Sequence, residues 1–243
     1  MHKDPSIPNE APKETAKAGS TAVSQFLQTV ARTPVRHGGK TPGRLIFAMD
    51  ATASREPTWD SACQTQAEMF AETSSLGGLL VQLCYYRGFQ QFHSEAWCAN
   101  TAQLQQQMAA VRCLGGATQI GRVLSHAVNE ARAHKIQALV FIGDAVEEAA
   151  DPLTVTAGQL GLLNVPVFIF QEGHAAKATQ IFQQIAQLTS GACVPFDHRS
   201  GAELRELLTA AAVYAAGGRK ALQNFSTTAR PVVGLLSRQL KDE

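Results

Sequence analysis

Residues 45–49, Leu-Ile-Phe-Ala-Met, form an uninterrupted apolar run closed by a carboxylate, Asp50. Successive side chains of a strand face opposite sides of the sheet, so a run without a polar break has to be covered on both faces. That is the environment of a parallel strand held between two layers of helices. Ala138-Leu-Val-Phe-Ile-Gly-Asp144 repeats the pattern and again ends in an aspartate.

The rest of the chain alternates around these two stretches. Strands are expected at Arg44–Met49, Leu79–Tyr86, Phe89–Ala96, Gln137–Gly143, Val165–Phe170 and Ala192–Phe196. Arg87-Gly88 is too short a connection for anything but a hairpin, so the third strand pairs antiparallel, and its glutamines, His93 and Ser94 suit a sheet edge. Helices are expected from Pro57 to about Ser74, from a Thr101 cap to the Gly115-Gly116 pair, and after Thr118, where Ile120, Val123, Leu124, Ala127, Val128 and Ala131 share one face. Asp151-Pro152 offers a cap and a first-turn proline for a helix reaching Leu163; further helices cover Ala176–Leu188 and Ala202–Tyr214. The alternation predicts an α/β, doubly wound, mostly parallel six-stranded sheet of order 3-2-1-4-5-6, with one antiparallel edge strand and helices on both faces.

The ends of the chain read differently. Residues 1–43 combine a Pro- and Lys-rich leader, a helix over 15–32 with Val23, Phe26, Leu27 and Val30 on one side, and a Pro/Gly linker. Residues 44–213 are expected to form the α/β domain, and 214–243 a helical extension in which Val232–Leu240 is amphipathic. Lysine and arginine total 21 against 20 acidic residues, a net charge of +1 that gives no electrostatic basis for binding nucleic acid or a membrane. No apolar run approaches the roughly 20 residues that span a bilayer, and the N-terminus lacks the apolar core of a signal peptide. Five cysteines, at 63, 84, 98, 113 and 193, form an odd set without a C-x-x-C pair, which fits a cytoplasmic protein.

In an open sheet of this order, ligands bind beyond the carboxyl ends of the strands, where strands 1 and 4 lie side by side. Asp50 and Asp144 end those two strands. Asp50-Ala-Thr52-Ala-Ser54 then sets a carboxylate and two hydroxyls at alternate positions of one loop, and Gly115-Gly-Ala-Thr118 brings a third hydroxyl on another. Oxygen donors without thiolate or imidazole suit a hard cation: Mg²⁺ first, Mn²⁺ or Ca²⁺ as alternatives. Neither Gly115–Gly121 nor Gly38-Gly-Lys-Thr41 has the spacing or the strand context of a phosphate loop, and no G-x-S-x-G occurs.

The set Asp50-x-Thr52-x-Ser54, Gly-Gly-x-Thr118 and a strand-end Asp144 resembles the metal-ion-dependent adhesion site of von Willebrand factor type A domains, over residues 44 to about 213. The resemblance implies a metal held by the hydroxyls of Thr52, Ser54 and Thr118, with Asp50 and Asp144 coordinating directly or through water. It further implies a protein-protein interaction module, an adaptor or scaffold, that captures a Glu or Asp carboxylate of a partner protein through the cation, with an AAA-type ATPase as one family-type partner. The chain departs from the family pattern at Thr52, where serine is usual, and after Asp144, where Ala-Val-Glu147-Glu148 replaces the usual glycine.

Two other functions share the same residues. In a metal-dependent hydrolase the cation would polarise a substrate oxygen, with Glu147 or Glu148 as base. In a metal-free oligomerising scaffold the terminal helices would carry the function and Asp50, Ser54 and Thr118 would merely cap helices.

Overall fold

The computed structural model describes residues 42–64, 69, 73, 78–196 and 201–228. The leader, the helix over 15–32, the linker and the Val232–Leu240 segment lie outside the described residues, as does most of the stretch expected to extend the helix from Pro57 to Ser74.

Six strands form one sheet: β1 (Gly43–Asp50), β2 (Leu79–Arg87), β3 (Gln91–Ser94), β4 (Ala138–Gly143), β5 (Val167–Glu172) and β6 (Ala192–Phe196). Their order is β3-β2-β1-β4-β5-β6. All pairs are parallel except β2 with β3, the edge hairpin, as its three-residue connection requires. Among the described residues six helices with full bounds cover the sheet: α1 (Glu56–Cys63), α2 (Thr101–Ala109), α3 (Ile120–Ala133), α4 (Ala150–Leu162), α5 (Ala176–Leu188) and α6 (Gly201–Thr228).

The unbroken apolar run of β1 is explained by what lies on either side of it. Leu45, Phe47 and Met49 join a core with Trp59 and Ala62 of α1, Leu104 and Met108 of α2, and Leu207, Leu208 and Ala211 of α6. Ile46 and Ala48 join a second core with Val123 and Leu124 of α3, Leu153 of α4 and Phe182 of α5. Each fully buried Leu, Ile or Phe contributes roughly 1.5–3 kcal/mol, so both faces are needed to hold a strand this apolar.

Several boundaries differ from the sequence expectation, each for a local reason. Asn100, not Thr101, caps α2, its side chain accepting from Gln103 N at 3.0 Å. The helix stops at Ala109, short of the glycine pair, and the chain then crosses the strand ends: Leu114 N donates to Ala51 O at 3.0 Å, and Gly88 N donates to Leu114 O at 3.3 Å. Helix α4 begins at Ala150 without a side-chain cap, so Asp151 and Pro152 sit inside its first turn. Strand β5 runs past Phe170 to include Gln171 and Glu172, both buried. The helix expected to end at Tyr214 continues to Thr228, broken at Gly218, whose φ of 71° is outside the helical range. Tyr214, Ala215, Ala216 and Leu222 are buried in the first core.

Candidate metal centre

Register brings the acids together. Met49 pairs with Ile142 across β1 and β4, and Gly143 pairs with Gln171 across β4 and β5, so Asp50, Asp144 and Glu172 end three adjacent parallel strands. Gly143 is part of this geometry. A Cβ there would come within 2.9 Å of the Phe141 ring and 3.8 Å from Asp50 Cβ, so glycine keeps the space beside Asp50 open.

Asp50 is 2 % exposed. Its Oδ1 accepts from Thr52 N at 2.8 Å, the short-range bond that turns the chain out of β1 and starts the loop. Burial raises its pKa above the ordinary carboxylate value, and the nearby Asp144 charge adds to the rise, against hydrogen bonds from Thr52 that lower it. Among the described residues, Thr52, Tyr86 and Asp144 are the groups that shift Asp50. Beside it the buried Tyr86 hydroxyl makes no well-formed hydrogen bond, and its pKa is pushed well above the ordinary phenol value by burial and then by the Asp50 charge.

Thr52 and Ser54 hold their hydroxyls 3.4 Å apart on the same side of the loop, as alternate spacing predicts. Ser54 is exposed and Thr52 half-buried. Thr118 arrives on the crossing segment, which passes so close to the β2–β3 turn that a Cβ on Gly116 would lie 2.0 Å from Gly88 O. Only glycine fits at 116, and this contact fixes where Thr118 is delivered.

Glu147, exposed, and Glu148, half-buried, lie in the loop ahead of α4, and both reach across to Thr118. Glu147 Oε2 accepts from Thr118 N at 3.0 Å, and its own N–H donates to Thr118 Oγ1 at 2.9 Å. Glu148 Oε2 accepts from the Thr118 hydroxyl at 2.5 Å, while Oε1 accepts from Gly121 N at 3.0 Å. Glu148 therefore serves as the acidic cap that the start of α3 otherwise lacks, since Gln119 makes no side-chain cap there. The Thr118 oxygen, with one hydrogen donated and one accepted, keeps a second lone pair.

Sequence reasoning missed Arg55. This residue, 8 % exposed, follows Ser54 directly in a short 3₁₀ turn that leads into α1. Its Nε donates to Ser54 Oγ at 3.3 Å, and Nη2 lies 3.2 Å from Asp144 Oδ2. Nη1 lies 2.5 Å from Glu172 Oε2, an electrostatic contact without the direction of a hydrogen bond. Glu172 also accepts from the buried Thr58 hydroxyl of α1. The signal in the sequence was an arginine next to the oxygen-bearing loop, with a third strand-end acid at 172.

Of the aromatic residues near the site, Trp59 is a core residue whose Nε1 donates to Met108 O at 3.2 Å. Phe89, in the β2–β3 turn, is 79 % exposed, and Leu114 on the crossing segment is 43 % exposed. Among the described residues no group of three or more His, Cys, Asp or Glu side chains is placed to hold a metal, so any cation here would depend on the hydroxyls.

Sheet order, the single antiparallel edge and the helical layers have counterparts among solved structures. The SpRpn10 VWA domain superposes with a TM-score of 0.53 at 12% identity, over 79% of this chain and 97% of that one. The fold is that of a von Willebrand factor A domain. The human COPII-coat protein Sec24c matches with a TM-score of 0.52 at 12% identity over 70% of this chain, and the pilus adhesin SpaC from Lactobacillus rhamnosus GG with 0.56 at 12% identity over 79%. This chain spans 32% of Sec24c and 31% of SpaC, so each carries the von Willebrand A fold as part of a larger protein. No family model and no curated protein matches the sequence. Among the described residues no helix is long and apolar enough to cross a membrane.

Proposed function

We propose that this von Willebrand A domain is a protein-interaction module that holds a divalent cation, Mg²⁺ in the first instance, at the carboxyl end of its sheet and presents it to a Glu or Asp carboxylate of a partner protein. The observation that carries the proposal is Asp50: a carboxylate buried at the end of β1, raised in pKa by desolvation, with a second acid, Asp144, beside it. Two acids side by side, one of them buried, are costly to keep charged, and a cation between them offsets that cost. The buried Tyr86 hydroxyl beside Asp50, which makes no well-formed hydrogen bond, is a second polar group available to a ligand or its water.

The donor set fits the ion. Asp50, Thr52, Ser54 and Thr118 would hold it with hard oxygens, and Asp144 would complete the set from β4, directly or through water. When bound, the cation supplies a Lewis-acidic point of attachment for an anionic side chain. Phe89 and Leu114 stand exposed on segments joined to the Asp50 loop through Ala51 and Gly88, an apolar border suited to a protein partner. That a coat protein and an adhesin share the fold supports the same view.

Titration calorimetry with Mg²⁺ and Mn²⁺ tests the ion, and retention of protein partners on the immobilised chain in Mg²⁺ tests the interaction. Heat and retention in the wild type, both abolished by EDTA and by Asp50→Ala, are the expected results. Absence of heat at millimolar Mn²⁺ overturns the metal, and partners held equally in EDTA overturn the mode of capture.

A further inference from the structure

The Arg55 guanidinium contacts two of the residues that would hold the divalent ion. It touches the owners of two of the five candidate ligands, Ser54 through Nε and Asp144 through Nη2, and its remaining nitrogen rests on Glu172. Resting on the metal assignment above, we propose that Arg55 is a built-in cation that competes with the divalent ion for Ser54 and Asp144, and that Glu172 with Thr58 is the buried seat that keeps it when the ion enters.

Three physical points support this. A guanidinium does not give up its proton in a protein, so its positive charge cannot be removed to make room for another. Arg55 is buried, where the repulsion between it and a doubly charged ion is weakly screened. The fork is already split between two carboxylates, and the one away from the metal loop, Glu172, is 8 % exposed and further held by the Thr58 hydroxyl. Loss of the Asp144 contact therefore leaves the guanidinium with a buried anionic partner. An arginine with only one partner would be stranded by such an exchange.

The consequence is a low, adjustable affinity. Arg55 is continuous with α1, which begins at the next residue, and Thr58 lies in that helix. Entry of the ion would thus shift the guanidinium toward Glu172 and load the start of α1, which links occupancy of the site to a helix beside it.

Mn²⁺ titrations followed by calorimetry, on full-length wild type, Arg55→Gln and Glu172→Gln, test the idea, with circular dichroism to verify the fold and Mn²⁺-induced thermal shift as a second readout. Arg55→Gln should bind Mn²⁺ at least tenfold more tightly than wild type. Glu172→Gln should bind several-fold more weakly, because the guanidinium, deprived of its seat, is thrown onto Asp144. An arginine that merely braces the loop predicts the opposite for Arg55→Gln. Equal or weaker binding by a folded Arg55→Gln overturns the inference and leaves the metal site standing. Should Arg55→Gln fail to fold, Glu172→Gln decides: unchanged or tighter binding overturns the inference. No Mn²⁺ binding by the wild type overturns the metal assignment, and this inference with it.

Discussion

The Thr118 hydroxyl donates to Glu148 Oε2 at 2.5 Å, and the other oxygen of the same carboxylate accepts from Gly121 N at 3.0 Å. One side chain from the loop after β4 thus fixes a candidate ligand and closes the N-terminus of α3. An acid at that position interacts favourably with the helix dipole and satisfies a donor that no other side chain caps. Glu148→Ala should lower stability by about 1 kcal/mol, in the range of lost helix caps. Urea unfolding in EDTA at neutral pH measures it, with the midpoint shifted and the slope unchanged. An unchanged midpoint would mean that the contact is not made in solution.

Gly116 makes a sterically sharper case. Any Cβ there would meet Gly88 O at 2.0 Å, so Gly116→Ala must push the crossing segment away from the β2–β3 turn and carry Thr118 with it. The substitution should cost more than about 1 kcal/mol, because the backbone and not a flexible side chain has to yield. Gly115→Ala is the control: a Cβ at that position has open space, and stability should change little. Comparison of the two melting temperatures distinguishes the close approach from a general effect of removing glycine.

What could be seen in the sequence follows from how local each signal is. The two-sided burial of β1 and β4 is written in their uninterrupted apolar runs, and their adjacency follows from right-handed crossovers, so Asp50 and Asp144 could be placed side by side without coordinates. Asp50, Thr52 and Ser54 lie on one loop and needed no tertiary information at all. Thr118 was legible because a glycine pair marks its approach. Arg55 and Glu172 were not: neither has a pattern of its own, and the ion pair they make joins segments far apart in the chain. A polar pair at a strand end looks like the start of a loop, which is why β5 was expected to stop at Phe170 and instead continues through Glu172. The reach of Glu147 and Glu148 to Thr118 was hidden for the same reason, since their partners come from a separate segment.

Asp50 gives a pair of opposed expectations. Burial disfavours its charged form, so without divalent ions the neutral isostere in Asp50→Asn should raise the melting temperature by a few degrees; about 1 kcal/mol corresponds to about 2–4 °C in a domain of this size. Mg²⁺ should then reverse the order. A ligand at one hundred times its dissociation constant stabilises the native state by about 2.7 kcal/mol, a gain available to the wild type and denied to the variant. Differential scanning calorimetry in EDTA and in Mg²⁺ supplies both comparisons, and a variant that gains as much from Mg²⁺ as the wild type would exclude Asp50 as a ligand.

His126 provides a pH dependence away from the site. It lies on α3 with Nε2 2.9 Å from Gln82 Oε1, its ring 5.5 Å from that of Phe92. Burial lowers its pKa from the ordinary 6.5, against an opposing pull from Glu130. Between the lowered native value and 6.5 the unfolded chain binds more protons than the folded one, so stability rises with pH across that window. The contribution of neutral His126 is therefore complete above about pH 6.5 and is lost as the pH falls through the native value. Thermal unfolding at pH 7 and pH 5 should show a smaller loss on acidification in His126→Gln than in the wild type. Equal losses in the two proteins would assign the acid sensitivity to other groups.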